Sequence, residues 1–410
     1  MTNKQYFFII LILGSLATVS PFSIDMYLPG FPRIASDLAT TIDRVQLSLT
    51  SYLIGICLGQ ILYGPLLDRF GRKKPLYFGL GLYVIASLGC ALTSSVDALI
   101  AMRFFQAMGG CVGLVASQAL VSDLFAPQKR AEVFSLITLV IAVSPMIAPT
   151  IGGYVTSAIA WQWIFVILAG IVGLMMLAIY FFLPTGRAAD PSVSLKPKAV
   201  MNGFGIVLGQ PQFLLYTLAG GLATAAPFAY IAGSSDVFMN IYKVSEQQYG
   251  WIFAFLAFAM IGSTQLNHIL LRKFTSEQII KVTLICQSAV GLIMIVGVYN
   301  NMFSLLGLIS IMFIFLCGQG LTGPNASALS LAPFNKHTGS ASALMGSWRM
   351  GAGAIISALV SLFHNQTAVP MLGMMAFCSI AGLVILFTGN VVVRHQSRRH
   401  QVEDEISVLL

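Results

Sequence analysis

The sequence predicts an all-α membrane protein with 12 transmembrane helices in two pseudo-symmetric six-helix bundles. Three observations predict this fold class: 57% of the residues are hydrophobic and only 9% are charged, long apolar runs recur along the chain, and one long basic connection lies near its middle. A soluble domain carries about 25% charged residues. A chain this poor in charge has too little polar surface to stay dissolved, so the apolar runs must lie in lipid.

Each apolar run is long enough to cross a bilayer, which takes roughly 20 residues in a helix. Only helices and closed barrels satisfy every backbone hydrogen bond in lipid, and the runs lack the two-residue alternation of barrel strands. The predicted spans are residues 6–28, 45–66, 75–94, 98–124, 132–157, 163–183, 212–238, 249–271, 278–299, 302–331, 339–363 and 370–393.

The longest connection divides these spans into two sets of six. We therefore predict an N-terminal bundle at 1–183, a cytoplasmic linker at 184–211, a C-terminal bundle at 212–393 and a cytoplasmic tail at 394–410. Equal sets of spans are typical of transporters built from internal repeats.

Lysine and arginine predict the orientation. With the N-terminus in the cytoplasm, 17 of the 22 basic residues fall in cytoplasmic segments. Only Arg33, Arg44 and Lys243 fall in the outer loops. The positive-inside rule therefore places both termini in the cytoplasm. The same charges are scattered over loops rather than collected in one domain, so the net charge of +8 does not indicate a nucleic-acid partner.

The loop after the second span carries the strongest local pattern, Gly-Pro-Leu-Leu-Asp-Arg-Phe-Gly-Arg-Lys-Lys at 64–74. We expect Gly64 to let two helices approach, Gly71 to allow a sharp turn, and Asp68 to pair with arginines across a cytoplasmic interface, with Arg69 and Arg72 in the same gate. The alternative is a charged anchor with a tight turn. In span 5, a second gating element is predicted from two prolines that weaken the helix and two glycines that permit close packing: Pro145, Pro149, Gly152 and Gly153.

These segments resemble the major facilitator superfamily. The 64–74 loop is similar to its G-x-x-x-D-R-x-G-R-[KR] loop, and residues 145–153 resemble the G-P-x-x-G-G signature of the antiporter branch, with alanine in place of the first glycine. Residues 103–106 (Arg-Phe-Phe-Gln) resemble R-x-x-Q-G without the final glycine.

Three further segments resemble the bicyclomycin/chloramphenicol-resistance (Bcr/CflA) exporters: Asp-Met-Tyr-Leu-Pro at 25–29, Asp-Leu-Phe at 123–125 and Gly-Ser-Ala-Ser-Ala at 339–343. The resemblance implies the major facilitator fold and a monomeric drug:proton antiporter in the bacterial inner membrane. It implies a small-molecule substrate, protons and the lipid bilayer as partners, and the proton gradient as energy source without a cofactor. It also implies a proton-handling acid in span 1 and an arginine in span 4.

Charged side chains inside the spans are rare and costly, so each indicates a partner or a function. Asp25 and Arg103 are predicted nearly level, about 6 Å and 9 Å from the outer ends of spans 1 and 4. We expect burial to favour the neutral carboxyl and a nearby guanidinium to favour the carboxylate, so a change in their separation would couple proton binding to transport. The alternative is a static ion pair that holds two helices in register.

Arg349 lies near the predicted midplane, roughly 15 Å from the cytoplasmic side, with no acid within four positions on its own span. Its partner could be a substrate carboxylate, an acid on another helix, or backbone carbonyls with water. Asp123 and Asp236 are shallow, so gating or capping roles are expected. On span 4, Arg103 and Gln106 are expected to line a cavity.

A substrate pocket would combine aromatic and thioether surface with few polar anchors. The candidates are Tyr52, Gln106, Met146, Phe228, Met260, Gln319, Trp348 and Arg349. The alternative for each is packing against lipid or core.

Three functions remain open at this stage: a drug:proton antiporter, a dedicated proton-coupled exporter of one metabolite or siderophore, and a receptor or channel. The sequence lacks a nucleotide-binding loop, a metal-ligand cluster and a G-x-S-x-G turn, so we expect neither an ATP-driven pump nor an enzyme, and no metal site. Two similar halves with sparse internal charge favour a carrier over a channel.

Overall fold

The computed structural model describes residues 3–186, 188–190, 204–300, 302–334 and 338–409. Within these ranges, twelve helical segments are long and apolar enough to cross a membrane. The helices of the twelve spans are Asn3–Asp25 with Leu28–Gly30 and Phe31–Asp37, Ile42–Phe70, Lys73–Leu92, Val96–Leu124, Pro127–Ala158, Gln162–Phe182, Pro211–Ala223 with Ala226–Ser235 and Asp236–Ile241, Glu246–Leu270, Ser276–Tyr299, Leu305–Leu331, Thr338–Leu362 and Val369–Leu409. The prediction of an all-helical protein with 12 spans is confirmed.

Local side chains fix several helix ends. Ser245 and Thr275 begin spans 8 and 9 as capping boxes, in which the hydroxyl accepts the backbone N–H three residues later. Ser95 and Ser304 cap spans 4 and 10 through the hydroxyl alone, which accepts the backbone N–H three residues later. Gly71 ends span 2 with φ of 79°, a conformation that favours glycine, so the predicted sharp turn is confirmed.

The outer surface of the helices carries large apolar side chains. Phe78, Leu92 and Phe181 are 72%, 85% and 71% exposed. Apolar surface on this scale is unfavourable in water and matches the hydrocarbon core of a bilayer.

Spans 1 and 7 are both discontinuous. In span 1 the first helix ends at Asp25, and the chain continues through the 3₁₀ turn Leu28–Gly30 into the helix Phe31–Asp37. Span 7 breaks after Ala223 and ends in the π-helix Asp236–Ile241. Broken helices in corresponding spans are typical of binding sites in transporters with internal repeats.

The extension of span 1 corrects the predicted position of Asp25. The sequence prediction ended this span at residue 28, but the structure carries it to Asp37. Asp25 therefore lies 12 residues from the end of the span, about 18 Å at 1.5 Å per residue, rather than about 6 Å. Phe31–Asp37 is a helix because it opens with a proline at its second position and buries Phe31, Ile34 and Ala35.

The structure describes part of the predicted linker (184–211) and most of the predicted tail (394–410). Residues 187 and 191–203 of the linker lie outside the described residues. The predicted tail at 394–410 continues the helix of span 12, which runs from Val369 to Leu409, while the apolar part ends at Gly389.

The spans form an N-terminal bundle (spans 1–6) and a C-terminal bundle (spans 7–12), which meet where span 2 packs on span 11 and span 5 packs on span 8. We name the two ends of the molecule the Arg72 end and the Asp37 end, after residues that lie there. Among the described residues, four bonds join spans 2 and 11: Ser361 Oγ donates to the Asp43 carbonyl (2.6 Å), the Thr50 and Ser357 hydroxyls are 3.0 Å apart, Cys57 Sγ donates to the Ser347 carbonyl (3.3 Å), and Ser347 Oγ donates to the Cys57 carbonyl (3.4 Å).

The bonded positions on span 2 are seven residues apart, so they form one continuous seam along the helix. The next position in this series is Gly64, and a Cβ built on it would have no neighbour within 4 Å. The seam is therefore closed from the Asp37 end to Cys57 and open at Gly64. The expected close approach of two helices at Gly64 is absent in this conformation.

Candidate functional site

Asp25 is a buried acid at the break in span 1. The residue is 4% exposed, and none of the described residues gives its carboxyl a hydrogen bond or an ion pair. It lies within electrostatic range of the phenols of Tyr230 in span 7 and Tyr249 in span 8. The acid of the N-terminal bundle therefore faces two tyrosines of the C-terminal bundle.

Arg103 is a fully buried cation, 0% exposed. Its Nη1 donates to Gln106 Oε1 (2.6 Å), and its Nη2 donates to the Ser23 carbonyl (3.3 Å). The guanidinium carbon lies 4.0 Å from the ring centre of Tyr52 and 4.6 Å from that of Tyr27. Amide, carbonyl and aromatic faces thus stabilise the charge in place of a carboxylate.

This arrangement does not join Asp25 to Arg103, and the static ion pair considered from the sequence is absent. The reason is local: Ser23, two residues before Asp25, presents its carbonyl to Arg103, whereas Asp25 ends the helix beside the other bundle. The expected cavity lining by Arg103 and Gln106 is also absent in this conformation, since both are 0% exposed. Gln106 instead links Arg103 to Ser87, because Gln106 Nε2 donates a hydrogen bond to the Ser87 hydroxyl (2.7 Å).

The predicted substrate-binding residues differ in their burial and lie in both bundles. Tyr52 is fully buried beneath Arg103 rather than facing a pocket. Met146, Phe228 and Met260 are partly buried. Phe228 packs against the backbone of span 11 at Gly353.

The remaining candidates lie in the C-terminal bundle. Gln319 is 5% exposed, and its Nε2 donates to the Ala223 carbonyl at the break in span 7 (3.0 Å). Trp348 packs on Gly221. Gln319 Oε1 and Trp348 Nε1 have no hydrogen-bond partner among the described residues. Arg349, next to Trp348, is exposed to a crevice between spans 7, 10 and 11.

The Arg72 end contains a charged cluster. Arg72 Nε donates to Asp123 Oδ2 (2.7 Å), and Nη1 donates to Asp68 Oδ1 (2.6 Å). Burial lowers the pKa of Arg72, but the hydrogen bonds and charges of Asp123 and Asp68 outweigh it and raise the pKa above its ordinary value. Asp68 was expected to pair across the interface between bundles, yet its bond to Arg72 lies within the N-terminal bundle. Arg69 lies 5.9 Å from the Phe70 ring centre.

Span 5 closes the Asp37 end. Gly152 packs directly on the Met26 carbonyl of span 1. A Cβ on Gly153 would lie 2.6 Å from the Glu246 carbonyl of span 8, so this glycine lets the two bundles touch. The predicted close packing at both glycines is confirmed. The prolines at 145 and 149 lie inside one continuous helix, Pro127–Ala158.

Asp236 occupies a position near the Asp37 end, at the start of the π-helix in span 7. Its Oδ1 accepts from Asn240 Nδ2 (2.7 Å), and its Oδ2 is 3.5 Å from His364 Nδ1. The π-helical turn, which is frequent at functional sites, contacts the helix Phe31–Asp37 of the other bundle.

Sequence reasoning missed Tyr230 and Tyr249. Both are almost completely buried, and Tyr249 shares a hydrogen bond with Ser234 (2.8 Å). Tyrosines are enriched at both membrane–water interfaces, so a tyrosine in a span does not by itself indicate a functional site. Only the spacing of Tyr230 and Ser234, four residues apart on one helix face, gave a signal of a polar face in span 7.

Comparison with known proteins identifies the family. Residues 13–358 match the model of the Major Facilitator Superfamily. A bicyclomycin resistance protein homolog from Haemophilus influenzae is 32% identical, covering 94% of this chain and 96% of that protein. A chloramphenicol resistance protein from Pseudomonas aeruginosa is 29% identical, covering 100% of this chain and 97% of that protein.

Among solved structures, an inward-facing, occupied bacterial homolog of the human lysosomal transporter Spinster matches with a TM-score of 0.72 at 16% identity, over 97% of this chain and 98% of that one. The same two-bundle fold is therefore present. The chain is a multi-pass membrane transporter and not an enzyme. It belongs to the major facilitator superfamily, and within it to the Bcr/CflA group of drug exporters.

Proposed function

We propose that this transporter exports drugs or other small organic molecules in exchange for protons by alternating access, with Asp25 as the proton carrier. One observation carries the proposal: Asp25 is a buried acid between the bundles, and no described residue gives it a hydrogen bond or an ion pair. An isolated buried carboxylate is strongly disfavoured, so a site of this kind holds a proton while it stays dry.

Coupling follows from what opening would do to this site. Tyr230 and Tyr249 belong to the bundle that must move away from Asp25 when the Asp37 end opens. Water that enters the gap would then stabilise the carboxylate and permit proton exchange. Proton occupancy thus depends on which end is open, and this dependence is the requirement for a coupled carrier. Arg103 supports Asp25 through the Ser23 backbone rather than as a direct partner.

The orientation follows from charge. The positive-inside rule places the Arg72 end and both termini in the cytoplasm of a bacterial cell, with the spans in the inner membrane. The bundles meet at the Asp37 end, so the conformation described here is inward-facing. The proton gradient is the energy source, no cofactor takes part, and one chain is the functional unit.

The second candidate function is dedicated export of one acidic metabolite or siderophore. Arg349 favours it, because this exposed cation has no ion pair or hydrogen bond within the described part of the chain. Competition for binding separates the two candidate functions. Many unrelated lipophilic compounds displace one another from a drug exporter. A dedicated exporter is inhibited by one acidic compound alone. A receptor or channel would show no concentrative transport.

The test is transport in proteoliposomes under an imposed pH gradient, with a panel of cationic, neutral and acidic compounds. We expect the wild-type chain to accumulate substrate against its gradient. Asp25→Asn should lose the gradient-driven accumulation and keep substrate binding, because the neutral amide imitates the protonated acid. Asp97→Asn is the matched control, since Asp97 is 76% exposed in a surface pair with Arg44. Accumulation by Asp25→Asn at the wild-type rate would remove Asp25 from the mechanism.

A further inference from the structure

The crevice beside Arg349 lies entirely within the C-terminal bundle. Its polar lining comes from three spans: Tyr216, Thr217 and Thr224 of span 7, Ser327 and Ser330 of span 10, and Arg349 of span 11. The cavity volume is about 40 Å³. At roughly 10–15 Å³ for each water, this space admits about three waters or one small polar group.

Three donors in the crevice lack an acceptor. Arg349 has neither an ion pair nor a hydrogen bond within the described part of the chain, and the same is true of the hydroxyls of Thr217 and Ser330, which are 5% and 0% exposed. Buried polar atoms are almost always hydrogen-bonded, so two orphaned hydroxyls beside one cation are unusual. The site is short of hydrogen-bond acceptors.

Two other hydroxyls of the crevice, those of Thr224 and Ser327, are satisfied by their own helices. Thr224 Oγ1 donates to the Gly220 carbonyl (2.8 Å), and Ser327 Oγ donates to the Gly323 carbonyl (2.9 Å). The lack of a hydrogen-bond partner at the Thr217 and Ser330 hydroxyls is therefore not shared by the Thr224 and Ser327 hydroxyls.

We propose that Arg349, Thr217 and Ser330 form a subsite for a carboxylate group of the exported molecule. This inference rests on the proposed transport function, because it takes the ligand to be the cargo. A guanidinium matches a carboxylate in charge and planar geometry and can bind both oxygens, and the hydroxyls can donate to the lone pairs that remain. The cavity accepts the carboxylate alone.

The rest of the ligand would extend along the neighbouring wall. Gly221 lines the crevice and also contacts the indole of Trp348. An aromatic or apolar body attached to the carboxylate would therefore pack beside Trp348, whose Nε1 lacks a partner among the described residues. The substrate class of the site is that of aryl or alkyl carboxylic acids.

Binding to the full chain in lipid nanodiscs, without a proton gradient, tests this subsite. The probes are 2-naphthoate and 2-naphthamide, which share shape and differ in charge. We expect the wild-type protein to bind the naphthoate about tenfold more tightly at pH 7, the usual strength of one charged hydrogen bond or more. Arg349→Gln should abolish this preference and leave naphthamide binding unchanged.

Variants of the two hydroxyl residues test the subsite without changing its charge. Thr217→Val and Ser330→Ala should each weaken naphthoate binding about threefold to tenfold. Ser327→Ala is the matched control in the same crevice, and its binding should stay within about twofold because its hydroxyl already has an acceptor. Equal affinity of the wild-type protein for both probes, or equal effects of Ser327→Ala and Ser330→Ala, would overturn the subsite.

The two proposals fail in different ways. If Asp25→Asn transports like the wild type while the naphthoate preference is lost only with Arg349→Gln, the antiport mechanism fails and the subsite stands. If proton-driven export is found but chloride or phosphate competes as well as naphthoate, the site is a general anion site and the carboxylate assignment fails.

Discussion

At the scale of single residues, Arg103 and Asp25 are buried inside the membrane without an ion pair to any described residue. Arg103 is stabilised by Gln106, a backbone carbonyl and two tyrosine rings, and Asp25 stands alone beside Tyr230. The rarity of ionisable residues within spans was enough to select these two as candidates. Their separation could not be predicted, because it depends on a helix that ends at Asp25.

Unlike Arg103, Arg72 forms ion pairs, with two acids at the Arg72 end. Arg72→Gln should destabilise the protein by about 2 kcal/mol, because it removes charged hydrogen bonds to Asp123 and Asp68. The pKa of Arg72 is raised in the folded state, so its contribution is complete below the unfolded pKa and is lost only as the pH rises through the folded one. Chemical denaturation at pH 6 and pH 9 should therefore give the same loss.

The control for this prediction is Arg44→Gln, which removes a surface pair with an exposed aspartate and should cost less than about 1 kcal/mol. A loss for Arg72→Gln that vanished by pH 9 would contradict the assignment of a permanently charged Arg72.

At the scale of elements, hydropathy placed the twelve spans well, because a run of about 20 apolar residues has one stable arrangement in lipid. It failed at span 1, which the sequence predicts to end at residue 28 but which continues to Asp37. The helix Phe31–Asp37 continues the span because its own apolar side chains are buried against the bundle. Tertiary packing of this kind leaves no signal in a hydropathy window.

Gly153 of span 5 lies where the two bundles touch at the Asp37 end. Gly153→Val should weaken closure of the Asp37 end, because the added side chain would meet the Glu246 carbonyl of the other bundle. The measurement is the rate of disulfide cross-linking between cysteines introduced at Ser157 and Gln247, whose side chains are hydrogen-bonded at 2.8 Å. We expect the cross-link to form more slowly in the Gly153→Val background.

Gly170→Val is the matched control, since a Cβ at Gly170 meets open space. Equal cross-linking rates in both backgrounds would show that Gly153 does not hold the bundles together.

At the scale of the whole molecule, the seam between spans 2 and 11 is closed along part of its length. Its bonds at Asp43, Thr50 and Cys57 are made, and its next position, Gly64, is open. The sequence predicts that Gly64 permits close approach of two helices, but the same sequence adopts every conformation of the protein. We infer that this contact belongs to a state in which the Arg72 end is closed, and a sequence alone cannot separate the two states.

This assignment predicts that Gly64 is neutral in one state and essential in the other. Gly64→Leu should leave thermal stability unchanged, because its side chain meets open space in the conformation described here. It should abolish transport in proteoliposomes, since the leucine would prevent spans 2 and 11 from closing at the Arg72 end, and a carrier must reach both states. Gly81→Leu in span 3, also facing open space, should transport normally. Normal transport by Gly64→Leu would mean that the seam does not continue to Gly64 when the Arg72 end closes.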